Sequence, residues 1–381
     1  MRVARAIHRA GPCGTSPESV SRRAGTLLGC AQLPQSESMA EANPLKGWQV
    51  DRGTIRTIGE DLRRPECILA EPDGTIWSAD ARGGVVRIAA DGTQRLIAQQ
   101  ASGERARPAG IESYILRGTL PNGLAFDRNG DILIANFGTN AVERMTRNGE
   151  SRTLYTEIDG QPLGKTNFIL RDSKDRLWLT VTTRLEPWTR CVSERTADGY
   201  VALIDERGIR IVADGFVGTN EVRLDAREEW LYVVETNARH ISRLRIRADG
   251  SLIDREVFGP SDLHGSPDGF AFDGFGNLWV TLVTYDRLIA ITPEGDVLTL
   301  LDDGNANEVA ELDHHYHART LGQDVMVRMK GGVIAPWMAS VTFGGPDLRT
   351  VYIGSLMGTT IPYFRAPVAG LPLAHWRDSR T

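Results

Sequence analysis

Five polar residues recur in register along this 381-residue chain: Glu66, Asn122, Asn167, Asn220 and Asp268, at intervals of 56, 45, 53 and 48 residues. Each stands second in a similar segment: PECILAEPDGTIWSAD, PNGLAFDRNGDILIAN, TNFILRDSKDRLWLTV, TNEVRLDAREEWLYVV and PDGFAFDGFGNLWVTL. A weaker sixth copy places Ala339 there, 71 residues further on. A repeat that builds a core calls for an apolar or small residue at such a position. Buried carboxylates and amides are costly unless they are paired or metal-bound. Two negative charges among oxygen donors, with no compensating Arg, suit one hard divalent cation, Ca²⁺ above all, with Zn²⁺, Mn²⁺ or Mg²⁺ as alternatives. Any one Asn or Asp could simply cap a turn at a strand entry. Five in register favour a shared ligand.

The elements that must position them are short strands. Within each copy a polar turn separates two runs rich in Val, Ile, Leu and Trp, which predicts a hairpin. Further strand pairs follow in most copies, such as VVRIAADGTQRLI, YVALIDERGIRIV and LIAITPEGDVLTL. Most copies recur at about 45–55 residues, close to the spacing of propeller blades. The expected fold is all-β, a six-bladed β-propeller with four antiparallel strands per blade, a ring without long exposed edges. The stretch from about Trp48 to Ile58 is expected to lend a strand to the last blade. The innermost strands then line a central channel, and equivalent residues converge on its axis. Trp77, Trp178 and Trp279 share one repeat position and are expected to pack between blades.

These motifs resemble the family of senescence marker protein, gluconolactonase and luciferin-regenerating enzyme, over about residues 50–376. The resemblance is carried by Pro65-Glu66, Asn122-Gly123-Leu124, Pro267-Asp268-Gly269 and the closing Phe343-Gly344-Gly345-Pro346-Asp347-Leu348. It implies a six-bladed propeller lactonase with a divalent metal held by Glu66, Asn220 and Asp268. It implies also that Asn167 contacts the metal or the substrate, and Asn122 occupies the corresponding place in blade two. Two positions depart from the pattern. Lys165 stands where some members carry a substrate-binding Arg, and Cys67-Ile68 replaces Gly-Pro after the blade-one Glu. Both bear on sugar-lactone specificity and leave the metal set intact.

The expected chemistry is metal-dependent opening of a lactone, a sugar lactone or related cyclic ester, by a polarised carbonyl and an activated water. Asp268 is the candidate general base, or else a direct nucleophile. Lys165 could orient the substrate or steady the oxyanion. His264 reads as a general acid beside the site or as a plain turn residue. No Gly-x-Ser-x-Gly elbow occurs, so the serine-esterase route lacks its signature. Alternatives are another metal-dependent hydrolase or lyase on the same site, such as a phosphotriesterase, and a non-catalytic ligand-binding propeller. Two insertions, 182–198 and 303–337, are expected to wall the pocket. They nominate Arg184, Trp188, Arg190 and His315, with the neighbouring His314 and His317, as substrate contacts. The His cluster suggests zinc, but a polar surface loop accounts for it better. Cys67 is expected to be a small buried filler.

Composition narrows the partners. The chain is 41% apolar and 24% charged, with a net charge of −5, which excludes a dedicated polyanion binder. No apolar run reaches the roughly 18 residues of a membrane-spanning helix. Four cysteines (13, 30, 67 and 191) form no CxxC pair, which fits reduced thiols in the cytoplasm. The expected partner is a small-molecule substrate, without nucleic acid or membrane; the sequence leaves oligomeric state open. Residues 1–46 are Arg- and Ser-rich without apolar periodicity. They read as a disordered or non-native extension, with Met39 as the favoured true start and an organelle transit peptide as the alternative. The hydrolase domain is placed at 47–381.

Overall fold

Alternating apolar strands joined by Asp-Gly and Asn-Gly turns can bury both faces only by stacking sheet against sheet. The chain does this radially. The computed structural model describes residues 42–100 and 120–378, and the expectation for residues 1–41 lies outside them. Packing begins slightly before residue 47: Leu45 is fully buried in the core, and the Asn43 side chain exchanges hydrogen bonds with Asn277.

The described residues form six four-stranded antiparallel sheets, the first five running outward from the axis in chain order. The innermost strands are Ile68–Ala70, Pro121–Phe126, Thr166–Arg171, Thr219–Leu224, Ser266–Phe272 and Met338–Gly344. The sixth blade is completed from the other end of the chain. Arg56–Ile58 pairs antiparallel with Ile361–Arg365, so an early strand closes the ring.

The repeat has a physical basis. The acid five residues after each ring position ties its own hairpin. Trp77 Nε1 donates to Glu71, Trp178 Nε1 to Asp172 at 3.1 Å, and Trp279 Nε1 to Asp273 at 2.9 Å. Each indole is at least 99% buried with its one polar atom satisfied. Two of them also pack between blades as expected: Trp77 lies edge-on to Phe126 at 6.1 Å and Trp279 to Phe343 at 5.2 Å.

Insertion 182–198 contains helix α1 (Arg190–Glu194). Insertion 303–337 contains α2 (Ala306–Ala318) and α3 (Gln323–Met326). At the other end of the inner strands, helix α4 (Ala374–Asp378) crosses the axis. His375 Nε2 donates to Ala70 O at 2.9 Å, Leu371 N to Phe272 O at 2.8 Å, and Arg171 pairs with Asp378. Burial pushes the His375 pKa down to about 4.

Close approach of the inner strands demands glycine at the axis. A Cβ on Gly269 would lie 2.5 Å from both Ala339 O and Ser340 Cα, backbone that cannot move aside. Gly269→Ala should therefore destabilise the protein by about 1–3 kcal/mol, read as a fall in Tm; an unchanged Tm would show that the inner strands can spread. His375 supplies a pH prediction. Its depressed pKa means that it stabilises the fold fully above its unfolded value near 6.5. That contribution is lost as pH falls through about 4. Unfolding free energy measured in urea from pH 7 to 3.5 should carry this slope, roughly 2 kcal/mol in all, and His375→Gln should remove it.

Candidate functional site

Four of the five ring residues sit at irregularities in their strands. Pairing of the first with the second strand shifts register between Pro121 and Gly123, Thr166 and Ile169, Thr219 and Val222, and Pro267 and Phe270. These bulges span Asn122, Asn167, Asn220 and Asp268. A bulge breaks the two-residue alternation and re-aims a side chain. Glu66 lies just before its strand. All five residues line one cavity of about 110 Å³ at the channel mouth, and all are between 2% and 8% exposed.

Threonines on the neighbouring strands orient the carboxamides. Asn220 Nδ2 donates to Thr236 Oγ1 at 3.1 Å, and that hydroxyl donates to Pro267 O of the next blade at 2.7 Å. Blade three repeats the device: Asn167 Nδ2 donates to Thr182 Oγ1 at 3.1 Å, and Thr182 Oγ1 to Thr219 O at 2.8 Å. Anchoring the NH₂ group fixes the amide oxygen on the opposite side. Asn122 Nδ2 donates to Asn167 O at 3.0 Å and to Asn167 Oδ1 at 3.3 Å. Thr182 and Thr236 were not singled out from the sequence, although they stand 15 and 16 residues after Asn167 and Asn220.

The expectation of no compensating Arg is overturned by Arg64. Held at φ 57°, it is buried in the same cavity. Its Nη2 donates to Asn122 Oδ1 at 2.6 Å and lies 2.6 Å from Glu66 Oε2 as an ion pair without hydrogen-bond alignment. The backbone reversal at Arg64, two residues before Glu66, turns the guanidinium inward; linear register could not show it. A second buried pair, Glu221 with Arg223 at 2.8 Å, follows Asn220 along the blade-four strand.

The electrostatics remain unbalanced. Glu66 Oε2, Asn220 Oδ1 and Asp268 Oδ1 are buried acceptors with no hydrogen-bond donor. Burial pushes the Glu66 carboxyl up, against the pull of Arg64. Burial pushes Asp268 well up, and the negative charges of Glu66 and Glu221 push it further. Glu221 rises to about 7, chiefly by burial. Among the described residues no three His, Cys, Asp or Glu side chains cluster as a metal site. The donor set here is two carboxylates plus carboxamides, all hard oxygen ligands.

The remaining nominated residues divide. Trp188 lines the cavity, edge-on to Phe137 with ring centroids 5.2 Å apart. Lys165 does not line it: its Nζ sits 5.5 Å from the Phe137 ring centroid and 3.5 Å from Phe137 O. With Arg184 it borders a separate shallow depression, where Arg184 stacks on Tyr200. Arg190 is exposed and paired with Glu194. His264 is exposed on a turn, its backbone N–H donating to Asp262. His315 Nδ1 bonds Thr320 Oγ1 at 2.8 Å, and His314 and His317 are exposed on α2. None of these lines the cavity. Cys67 is buried, its sulfur accepting from Leu124 N at 3.2 Å.

Comparisons with known proteins bear out the family resemblance read from the motifs. The SMP-30/gluconolactonase/LRE-like region matches residues 122–307. The 6-deoxy-6-sulfogluconolactonase of Pseudomonas putida is 23% identical over 181 residues, covering 45% of this chain. The chain spans about half, 52%, of that relative's length. A gluconolactonase from Xanthomonas campestris superposes with a TM-score of 0.59 at 20% identity, over 82% of this chain and 89% of that one. A luciferin-regenerating enzyme does so at 0.59 and 14%, over 84% and 98%. A calcium-binding protein, regucalcin, from Agrobacterium tumefaciens gives 0.58 and 15%, over 82% and 95%. These structures share the propeller fold.

The threonine anchors are testable. Thr236→Val keeps shape and removes both hydrogen bonds, the one from Asn220 Nδ2 and the one to Pro267 O. Urea unfolding should show a loss of about 1–3 kcal/mol, and Thr236→Ser should restore most of it.

Proposed function

We propose that this chain, with its SMP-30/gluconolactonase/LRE-like region, is a divalent-metal-dependent lactonase. The observation that carries the reading is the pair of buried acceptors without donors, Asn220 Oδ1 and Asp268 Oδ1, beside Glu66, whose Oε2 is balanced only by its ion pair with Arg64, on the floor of one cavity. Such oxygens are costly to bury alone and fit a hard cation. Glu66, Asn220 and Asp268 would hold it, with Asn167 beside them. Ca²⁺ matches the all-oxygen donor set. It is also consistent with the calcium-binding relative of the same fold. Gluconolactonases of that fold and the sulfogluconolactonase support the reaction class.

When bound, the cation supplies Lewis acidity toward the lactone carbonyl and toward water. Asp268 acts as base. Its carboxylate takes one proton as the water oxygen bonds to the carbonyl carbon. The ring C–O bond then breaks, and the departing alkoxide recovers that proton from Asp268. Arg64, the positive charge in the cavity, takes the electrostatic role first considered for Lys165. Thr182 and Thr236 position the carboxamides and do not touch substrate.

Two variants and chelation separate the roles. Glu66→Gln and Asp268→Asn should both weaken Ca²⁺ binding measured by calorimetry. In lactone hydrolysis against metal concentration, Glu66→Gln should recover much of its rate as metal rises. Asp268→Asn should stay about 10²–10⁴-fold slow at saturating metal, the usual cost of a missing general base. Full recovery of Asp268→Asn would make it a ligand only. Chelation should abolish activity in the unaltered protein, and activity that survives exhaustive chelation would overturn the metal-dependent reading.

A further inference from the structure

The two insertions carry many charged and polar side chains, yet they turn a different face to the cavity. Arg190 and the three histidines of α2 point elsewhere, as described above. The cavity receives Trp188 and Val192 from the first insertion and Leu312 and Met326 from the second, joined by Phe137 and Trp337. On α2 the buried residues are Leu312 and Tyr316, one turn apart, so the helix is amphipathic and its apolar side faces inward. Trp188, Val192 and Met326 are only partly buried and retain surface toward the cavity. The polar groups beside this wall are few: the Ser266 and Thr284 side chains at the blade-five edge, and the Asn237 amide, whose Nδ2 is engaged by Cys191, donating to its O at 3.2 Å and to its sulfur at 3.3 Å. The site is thus divided: a polar, charged floor built by the blades, and a wall of indole, phenyl, aliphatic and thioether groups built largely by the insertions.

A lactone ring with its carbonyl on that floor must direct its ring substituents at the wall. Hydroxyls placed there would lose water and gain few partners, which is unfavourable. Alkyl or aryl groups placed there would gain. We infer that the substrate is a lactone bearing an apolar substituent, an alkyl or aryl chain, and not a polyhydroxylated sugar lactone. The inference rests on the lactonase reading above for the identity of the ring, and adds what the ring carries. Trp188 and Met326 set the preference: the indole supplies a rigid flat surface, and the thioether fits chains of differing shape.

The test separates binding from turnover. With CaCl₂ present, calorimetry would measure binding of non-hydrolysable lactams: δ-valerolactam, its 6-ethyl and 6-butyl derivatives, and gluconolactam. Kd should tighten roughly three- to four-fold per added methylene. Gluconolactam should bind at least ten-fold more weakly than the butyl lactam. Trp188→Gln and Met326→Gln should each flatten the chain-length dependence, and circular dichroism would confirm that they fold. Gluconolactam binding as tightly as the butyl compound, the absence of any chain-length dependence, or no lactam binding would overturn the inference. Hydrolysis of the matching lactones is scored separately. A chain-length dependence in binding with no lactone opened would defeat the lactonase reading while leaving the apolar wall standing. Rapid opening of glucono-δ-lactone with no preference for alkyl lactones would do the reverse.

Discussion

Buried acceptor oxygens without donors are the constraint around which this propeller is organised. Six blades could close a ring around an apolar plug, and the sixth blade does place Ala339 at its ring position. The other five instead bring oxygen and nitrogen to the axis, with two carboxylates that burial drives toward protonation. Such an arrangement persists only if the scaffold holds its parts against their own desolvation cost. Radial sheets packed on each other through buried indoles, Trp77 on Phe126 and Trp279 on Phe343, and closed by an early strand in the last blade provide that rigidity.

The holding is hierarchical. Bulges at the ring positions turn side chains inward, and the glycines that follow Asn122 and Asp268 let neighbouring strands approach closely enough to share the floor. Threonine hydroxyls fix which end of Asn167 and Asn220 faces inward and pass the hydrogen bond to the next blade. Orientation of the floor is thereby coupled to the packing of adjacent blades. Arg64 adds a fixed positive charge that pairs with Glu66 and leaves the acceptors Asn220 Oδ1 and Asp268 Oδ1 without donors. The acids of the hairpins, Glu71, Asp172 and Asp273, belong to a separate system. They satisfy indole N–H groups in the interior and take no part in the cavity.

Blade number, strand order, ring closure and the five floor residues were legible in the sequence because each is a local pattern repeated. Alternating apolar residues, a turn and an acid at a constant offset need no knowledge of neighbours, and register alone implies convergence once a ring is assumed. Contacts between segments that do not repeat needed the tertiary structure. The left-handed backbone at Arg64 brings a guanidinium onto Glu66 and Asn122 from a place outside the repeat pattern. The insertions are unique, so their polar residues attracted notice as site candidates. Helix phase decided otherwise, since the face of α2 that can pack against the blades is the one carrying Leu312 and Tyr316. Phe137 lines the cavity where Lys165 was expected, and the ammonium lies outside it, 5.5 Å from the ring centroid. Composition and repetition determined the fold and the oxygen-lined floor. Which side chains wall that floor depended on packing between distant parts of the chain, where burial of apolar surface outweighs the order of residues along it.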